Sequence, residues 1–507
     1  MLYWIGAPAE RLFGSVGVLV VFGLVSVVSL AVAFGAAHRL GGRPLLLSVG
    51  VASAVLVHSL GPQRLVDPWN PYLTYLPLLG FLLAAAATAE AGPGWTLPAA
   101  VALGSLAAQS HLGAVPVVGV ASLGAIVWRR TVRRQEVATT EKDQGRCRPG
   151  SDRTRPNRRL TIASAVLGLA LWSGPLVQQV TGHPGNLGAI ATYVLEDRPN
   201  RPAMDASLRI AARELGVRPA WTGGPEVDFV GYVAPGQAWT LLLTFGALAG
   251  AWWISRHQGD RTTSRLLAYV TTVVAISVLA VTRTTDGFFP YVLRWTWPVA
   301  ALAAAAAARP LLRALDRSRP VPRRWSWTVG VPVLALLIGA TATAASTADA
   351  ARHTLTPSPL DSRIVGELAR ETRAKVPRGH YYVADEDSQQ FAGIGESLGA
   401  QLMRSGYRIR FPASSTTGMG PSRTGSRKGL PMLLVLGGSF RTDRKVPPGS
   451  KLVATFRVGT PAQDAERRRL VERLDAGTSI RADLERLAEI PDTSRQYDVY
   501  LVPGTQD

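Results

Sequence analysis

Long apolar runs separated by short basic stretches fill the first 350 residues, a pattern that predicts membrane-crossing helices and not a soluble core. A crossing takes about 20 apolar helical residues, which places spans near 14–37, 44–60, 72–89, 96–110, 113–128, 160–180, 238–255, 265–283, 292–308 and 327–346. The stretch from Trp95 to Trp128 is too long for one crossing at 1.5 Å rise per residue, so it is divided at His111-Leu112-Gly113. After Ala345 the pattern changes to short alternating elements. Helices are predicted near 363–375, 391–405 and 463–474, and strands at 381–384, 407–411, 432–436, 452–458 and 498–502. The Ser, Thr, Gly and Arg-rich stretch 412–429 reads as a flexible loop. The expected architecture is an α-helical polytopic membrane domain of about ten spans over 1–346, followed by a soluble α/β domain over 347–507. The second domain carries no Gly-rich phosphate fingerprint and reads as a binding or scaffolding module.

Composition agrees: 47% of residues are hydrophobic and only 18% charged. The net charge of +20 comes largely from basic loops between apolar runs, which excludes a folded nucleic-acid surface and fits the positive-inside rule. The basic stretches 38–43, 129–159, 256–265 and 309–324 all fall on one face under this span count. That face is taken as cytoplasmic, which places both termini and the loops 61–71, 181–237 and 284–290 outside a plasma membrane. Tryptophans 95, 128, 252, 253, 325 and 327 then mark the inner interface. The single cysteine, Cys147, lies in a cytoplasmic loop, so no intramolecular disulfide holds the exterior domain. Met1 to Glu10 lacks a basic n-region, so the first apolar run is expected to stay as a span and not to be cleaved.

Candidate chemistry gathers at the exterior ends of the spans. The loop 61–71 holds Arg64, Asp67, Trp69 and Asn70, although Asp67 before Pro68 and Asn70 before Pro71 are also ordinary turn chemistry. Gln109 and His111 stand at the break in the long apolar segment, where non-helical backbone needs protein or water partners. Gln178, Gln179 and the run from His183 to Asn186 close the sixth span, and Asp286, Tyr291 and Arg294 precede or begin the ninth. Arg294 reads either as snorkelling to the interface or as a planar fork for a lipid phosphate, and Trp295 and Trp297 read as interfacial belt residues, with a sugar-stacking surface as the alternative. The seven histidines lack metal-ligand spacing, and no nucleophile elbow or phosphate loop is present.

Tyr3-Trp4, Ala7-Pro8, Arg11-Leu-Phe-Gly14, Asp67-Pro-Trp-Asn-Pro71, Gln109-Ser-His111, Trp172 with Pro175, and Gly182-His-Pro-Gly-Asn-Leu187 together resemble actinobacterial membrane proteins of the GT-C glycosyltransferase superfamily. That superfamily includes protein mannosyltransferases and lipid A aminoarabinose transferases. The resemblance covers about residues 1–310. It implies transfer of a sugar from a polyprenyl-phosphate donor to an envelope glycan or protein acceptor at the exterior face. Matched residue by residue, it gives Asp67, Trp69, Asn70 and His111 as cavity-lining candidates, with Arg294 as a candidate phosphate ligand; Arg64, Gln109 and Asn186 join them as substrate-binding candidates from their positions alone. No catalytic residue is assigned. No cofactor is indicated, and a divalent metal is not excluded. The family's key acidic residue lies on the first exterior loop, and Met1 stands just after where that loop would end. The expectation is therefore either a start upstream in the gene or a degenerate relative. A lipid or polysaccharide transporter and a non-catalytic membrane scaffold are the rival readings.

Overall fold

The computed structural model describes residues 2–143, 158–182, 185–195, 202–217, 219–222, 233, 235–284, 288–317, 359–386, 393–415, 421–437, 446–475, 483, 486 and 496–504. The expected span at 327–346, His183, Pro184, Asp286, Cys147, Trp325 and Trp327 lie outside them. The chain divides into two compact units after Pro357, later than the expected boundary at 346.

The first unit is helical: α1 (Leu2–Leu60), α2 (Pro62–Val66), α3 (Asn70–Ala91), α4 (Thr96–Ser110), α5 (Ala114–Asp143), α6 (Arg158–Thr181), α7 (Asn186–Leu195), α8 (Met204–Leu215), α9 (Thr240–His257), α10 (Arg261–Thr282), α11 (Pro290–Leu293) and α12 (Trp297–Arg317). Five helical segments among the described residues are long and apolar enough to cross a membrane: Val16–Leu60, Asn70–Ala91, Ala114–Val137, Arg158–Thr181 and Arg261–Thr282. Among the described residues the expected count of ten is not supported. Helices α4, α9 and α12 coincide with expected spans but fall short by length or polarity.

Two glycines reshape α1. Gly14 and Gly42 both have φ 64° and ψ −155°, a left-handed φ that costs a residue with a Cβ dearly. A Cβ on Gly17 would come within 2.5 Å of the Ala9 carbonyl oxygen, eight residues back. Along a straight helix those residues would be roughly 12 Å apart, so the chain folds back on itself at Gly14. Likewise a Cβ on Gly41 would meet the Leu45 Cβ at 2.6 Å, against about 5–6 Å for i,i+4 neighbours in a helix, so a second sharp turn lies at Gly42. Ala9 is therefore buried and Ile5 packs on the cluster of Phe22, Leu73 and Leu106, an arrangement the apolar pattern alone does not convey.

Helix α3 is the centre of the unit. It is apolar all round, and 94% of its spanning window is buried by other helices. Helix α6 is equally apolar, yet only 6% of its window is covered. Val166, Leu169, Val177 and Val180 stand exposed along it. A continuous apolar surface of this kind needs a cover other than water, and lipid supplies one.

Polar contacts brace the helices. Pro175 inside α6 has no N–H, which frees the Leu171 carbonyl one turn back. Gln109 Nε2 donates to that oxygen at 3.0 Å, and Trp172 Nε1 donates to Ser105 Oγ at 2.9 Å. At the opposite ends of the helices, Asp260 caps α10 by accepting from the Thr263 N–H at 3.0 Å, and its other oxygen takes hydrogen bonds from Arg309 at 3.3 Å and from Arg313. Arg309 also donates to the Gly41 carbonyl at 3.4 Å, so one carboxylate links α1, α10 and α12. Close by, Glu90 accepts from Trp128 at 2.7 Å, Thr262 at 2.5 Å and Arg265 at 2.9 Å. Trp128 is therefore a buried hydrogen-bond donor and not the expected belt residue, whereas Trp252 and Trp253 are exposed.

The second unit contains β1 (His380–Glu386), β2 (Arg408–Arg410), β3 (Met432–Gly437), β4 (Lys451–Arg457) and β5 (Gln496–Val502), with helices α13 (Pro359–Lys375), α14 (Ile394–Arg404) and α15 (Pro461–Asp475). The strand order is β2-β1-β3-β5-β4. β1 runs parallel to both its neighbours, while β5 runs antiparallel to β3 and β4. Ile364, Leu368, Leu398, Leu402, Val383, Phe411, Leu433 and Val499 share one core between the helices and the sheet. Part of the expected flexible loop is ordered: Phe411 bridges to Thr424, and two short 3-10 turns flank the bridge. At the β1 to α14 connection Asp385 Oδ2 accepts the Gly395 N–H at 2.5 Å, so a carboxylate already fills the helix N-terminus that a phosphate would otherwise use. This unit has its own core without a disulfide, so residues 358–507 expressed alone should be soluble and unfold in one cooperative urea transition. A non-cooperative loss of circular dichroism would show that it depends on the helical unit.

Candidate functional site

The site is built where α1 ends and α3 begins. Gly61 (φ 74°) turns the chain out of α1 into the single-turn helix α2, which Ser26 Oγ anchors by donating to the Leu65 carbonyl at 2.7 Å. Arg64 on α2 donates from Nη1 to the Leu60 carbonyl at 2.6 Å and hydrogen-bonds the Tyr72 hydroxyl. Asp67 Oδ1 accepts the Trp69 N–H at 3.0 Å, a side-chain turn that delivers Trp69 and Pro71 to the start of α3. The turn chemistry expected of Asp67 is thus present. The Trp69 ring packs edge-on against Tyr72 at 5.0 Å and tilted against Tyr291 at 4.9 Å. Asn70, also on the first turn of α3, is exposed.

The facing wall comes from the short α11 and the 3-10 turn Arg294–Thr296 that follows it. Arg294 is 1% exposed, so snorkelling is ruled out: its guanidinium lies over the Trp297 ring at 5.2 Å, inside the helical unit. Trp295 and Trp297 are equally buried, which corrects their reading as belt residues. The turn and the start of α12 carry all three side chains inward.

Charges and hydroxyls meet between these walls. Burial pushes Arg64 below the usual guanidinium range, and the neighbouring positive charge of Arg294 pushes it further the same way. Tyr75, one turn beyond Tyr72 and 1% exposed, is electrostatically coupled to Arg294, Tyr72, Arg64 and Glu214. Its buried hydroxyl makes no hydrogen bond among the described residues. Buried hydroxyls nearly always have a partner, so this one marks a position where a bound group would supply it.

His111 reaches the site only at its edge. Helix α4 ends at Ser110 and α5 begins at Ala114, as the break in the apolar run predicts. His111 Nδ1 accepts the Gly113 N–H at 3.0 Å, its ring hydrogen-bonds the Tyr291 backbone, and it lies 6.4 Å from the Trp295 ring. It is a joint that satisfies backbone freed at the break and ties it to α11. Gln109 and Asn186 stand apart: the first bonds the Leu171 carbonyl, and Asn186 Nδ2 donates to the Pro175 carbonyl at 3.2 Å. Both serve the proline-interrupted α6 and are not brought to the arginines.

Three side chains escaped the sequence reading: Tyr72, Tyr75 and Glu214. Glu214 lies on α8, in the stretch read as an exterior loop. It is 2% exposed, and its Oε2 accepts the Trp297 indole N–H at 2.6 Å. The signal was available, since Ser207, Ile210, Ala211, Glu214 and Leu215 are buried at helical spacing and place a carboxylate on the inner face of an amphipathic helix.

Burial raises the Asp67 carboxyl to about 6, against the opposing effects of the Trp69 N–H and the Arg64 charge. The sign follows from linkage: the folded state holds the proton more tightly than the unfolded chain, so stability falls as pH rises from about 4 to about 6 and stays lower above that. An anion bound beside Arg64 should bind tighter at pH 5 than at pH 7.5 because Asp67 is then neutral. Asp67→Asn should flatten this dependence, as read by isothermal titration with a lipid phosphate in detergent. An unchanged slope in the variant would place the titrating group elsewhere.

Among the described residues no group of three or more His, Cys, Asp or Glu side chains is placed to hold a metal ion. Comparisons of the chain with protein families, with curated proteins and with solved structures found no match.

Proposed function

We propose that this chain is a polytopic membrane glycosyltransferase of the GT-C type, with about ten spans and both termini outside the plasma membrane, which takes a sugar from a polyprenyl-phosphate donor to an envelope acceptor. The observation that carries the reading is the meeting of Arg64, Arg294 and the Tyr75 hydroxyl, which has no hydrogen-bond partner among the described residues, beside an aromatic wall of Trp69, Tyr72 and Tyr291. Two guanidiniums and a hydroxyl donor suit a phosphate whose charge grows as the glycosidic bond to it breaks. The aromatic faces suit the apolar side of a sugar ring or the first isoprene units. The apolar flank of α6 supports a membrane setting from which a lipid-linked donor would arrive laterally. The C-terminal unit is read as an exterior binding or scaffolding module for the acceptor.

The test uses the chain reconstituted in nanodiscs with a panel of polyprenyl-phosphate sugars labelled in the sugar. Donor-dependent appearance of label in an acceptor fraction, or in released sugar, supports the enzyme. Movement of intact donor across a proteoliposome membrane without sugar release supports the transporter instead. Failure to bind any donor overturns the reading.

A further inference from the structure

We infer that Glu214 sets the charge selectivity of this site, so that it accepts a singly charged phosphodiester and rejects a diphosphate. The inference rests on the donor-site reading above and deepens it. It starts from the way Glu214 is held: its Oε2 accepts from Trp297 at 2.6 Å, and the Thr296 hydroxyl lies 3.3 Å away while donating to the Leu293 carbonyl at 2.8 Å. Trp297 is also the ring beneath the Arg294 guanidinium. One carboxylate therefore holds the C-terminal end of the turn that carries the buried cation, and Glu214 is a positioning residue for Arg294.

The same placement counts charge. Arg64 and Arg294 bring two positive charges within electrostatic reach of each other, and Tyr75 is coupled to both of them and to Glu214. With Glu214 ionised the three sum to one positive charge, and Asp67, the remaining acidic group on the α2 to α3 loop, lowers that sum when ionised and leaves it unchanged when protonated. The other charged side chains on α8 behave differently: Asp205 and Arg209 are exposed, Arg209 bonding the Gly236 carbonyl, and Arg213 is only partly buried. A monoanionic phosphodiester is neutralised by a sum of plus one. A diphosphate brings two or more excess negative charges toward a buried carboxylate, and like charges at close range in a poorly solvated site are strongly disfavoured.

The experiment compares two probes in detergent at pH 5, where Asp67 is protonated: dihexadecyl phosphate, a monoanionic phosphodiester, and geranylgeranyl diphosphate. Wild type should prefer the phosphodiester. Glu214→Gln should shrink that preference by about tenfold or more, the effect of one charge at short range in a medium of intermediate dielectric. Glu214→Asp should keep the preference even where overall affinity falls, which a merely structural role would not do. Arg64→Gln should widen it by removing a cation. An unchanged probe ratio in a folded Glu214→Gln protein overturns the inference. Should that variant unfold, a ratio in Arg64→Gln that stays constant or narrows overturns it. Wild type binding neither probe would instead sink the donor-site reading itself.

Discussion

Arg294→Ala is expected to weaken binding of a polyprenyl-phosphate donor by on the order of 100-fold, the cost of losing a buried charge-assisted pair of hydrogen bonds to phosphate. The expectation follows from position: Arg294 is buried, seated on Trp297 and close enough to Arg64 to disturb its protonation. Arg294→Lys should recover only part of the affinity, because the charge returns without the planar fork that bonds two oxygens and stacks on the indole. Binding is read by titration in nanodiscs, with thermal unfolding as the control for folding. Equal affinities in wild type and a well-folded alanine variant would remove Arg294 from the site.

The second large effect is expected at the other end of the bundle. Asp260→Ala removes the cap of α10 and leaves Arg309 buried without the carboxylate that it shares with Arg313. Breaking such a buried pair costs about 3–5 kcal/mol. Asp260→Asn should lose less, since its amide oxygen still accepts the Thr263 N–H. Adding Arg309→Met to Asp260→Ala should restore part of the stability, because the stranded charge leaves with its partner. A double-mutant cycle on thermal unfolding measures this coupling directly. Additive losses would mean that the network contributes little beyond its separate contacts.

These two clusters show what a single chain of letters conveys and what it hides. The tail was legible nearly element by element, since each strand is a short β-rich run and Gly406 (φ 89°) ends α14 where a C-cap is expected. The apolar runs also located helices α3, α4, α5, α6, α9 and α10. Gly14 was read only as the start of the first span, because nothing in its neighbours announces a left-handed φ or a helix before it. Helix α8 was passed over, although its inner residues recur at helical spacing, because charged Asp205, Arg209, Arg213 and Glu214 interrupt the apolar run within twelve residues.

The candidate site was legible in part for the same reason. Arg64, Asp67, Trp69 and Arg294 stand out as polar groups at the ends of apolar runs, and the fold brings them together. Tyr72 and Tyr75 sit inside an apolar helix, where a tyrosine reads as core. Gln109 and Asn186 looked functional because polar side chains in such places are costly, yet a proline one helix away explains them: Pro175 leaves a carbonyl to be satisfied at Leu171, and its own carbonyl takes the Asn186 amide. The arithmetic of freed carbonyls has to be done across helices, and sequence alone does not say which helices are neighbours.

The most direct test of the account is to map where a lipid-linked phosphate touches the protein. A polyprenyl phosphate carrying a photoreactive group beside its head group, cross-linked in nanodiscs and located by mass spectrometry of peptides, should label the segments 61–75 and 288–297. Excess unlabelled polyprenyl phosphate should compete that labelling away. Labelling confined to the outward apolar faces of α6 and α9, and not reduced by competitor, would show only an annular lipid and would contradict a phosphate site at Arg64 and Arg294.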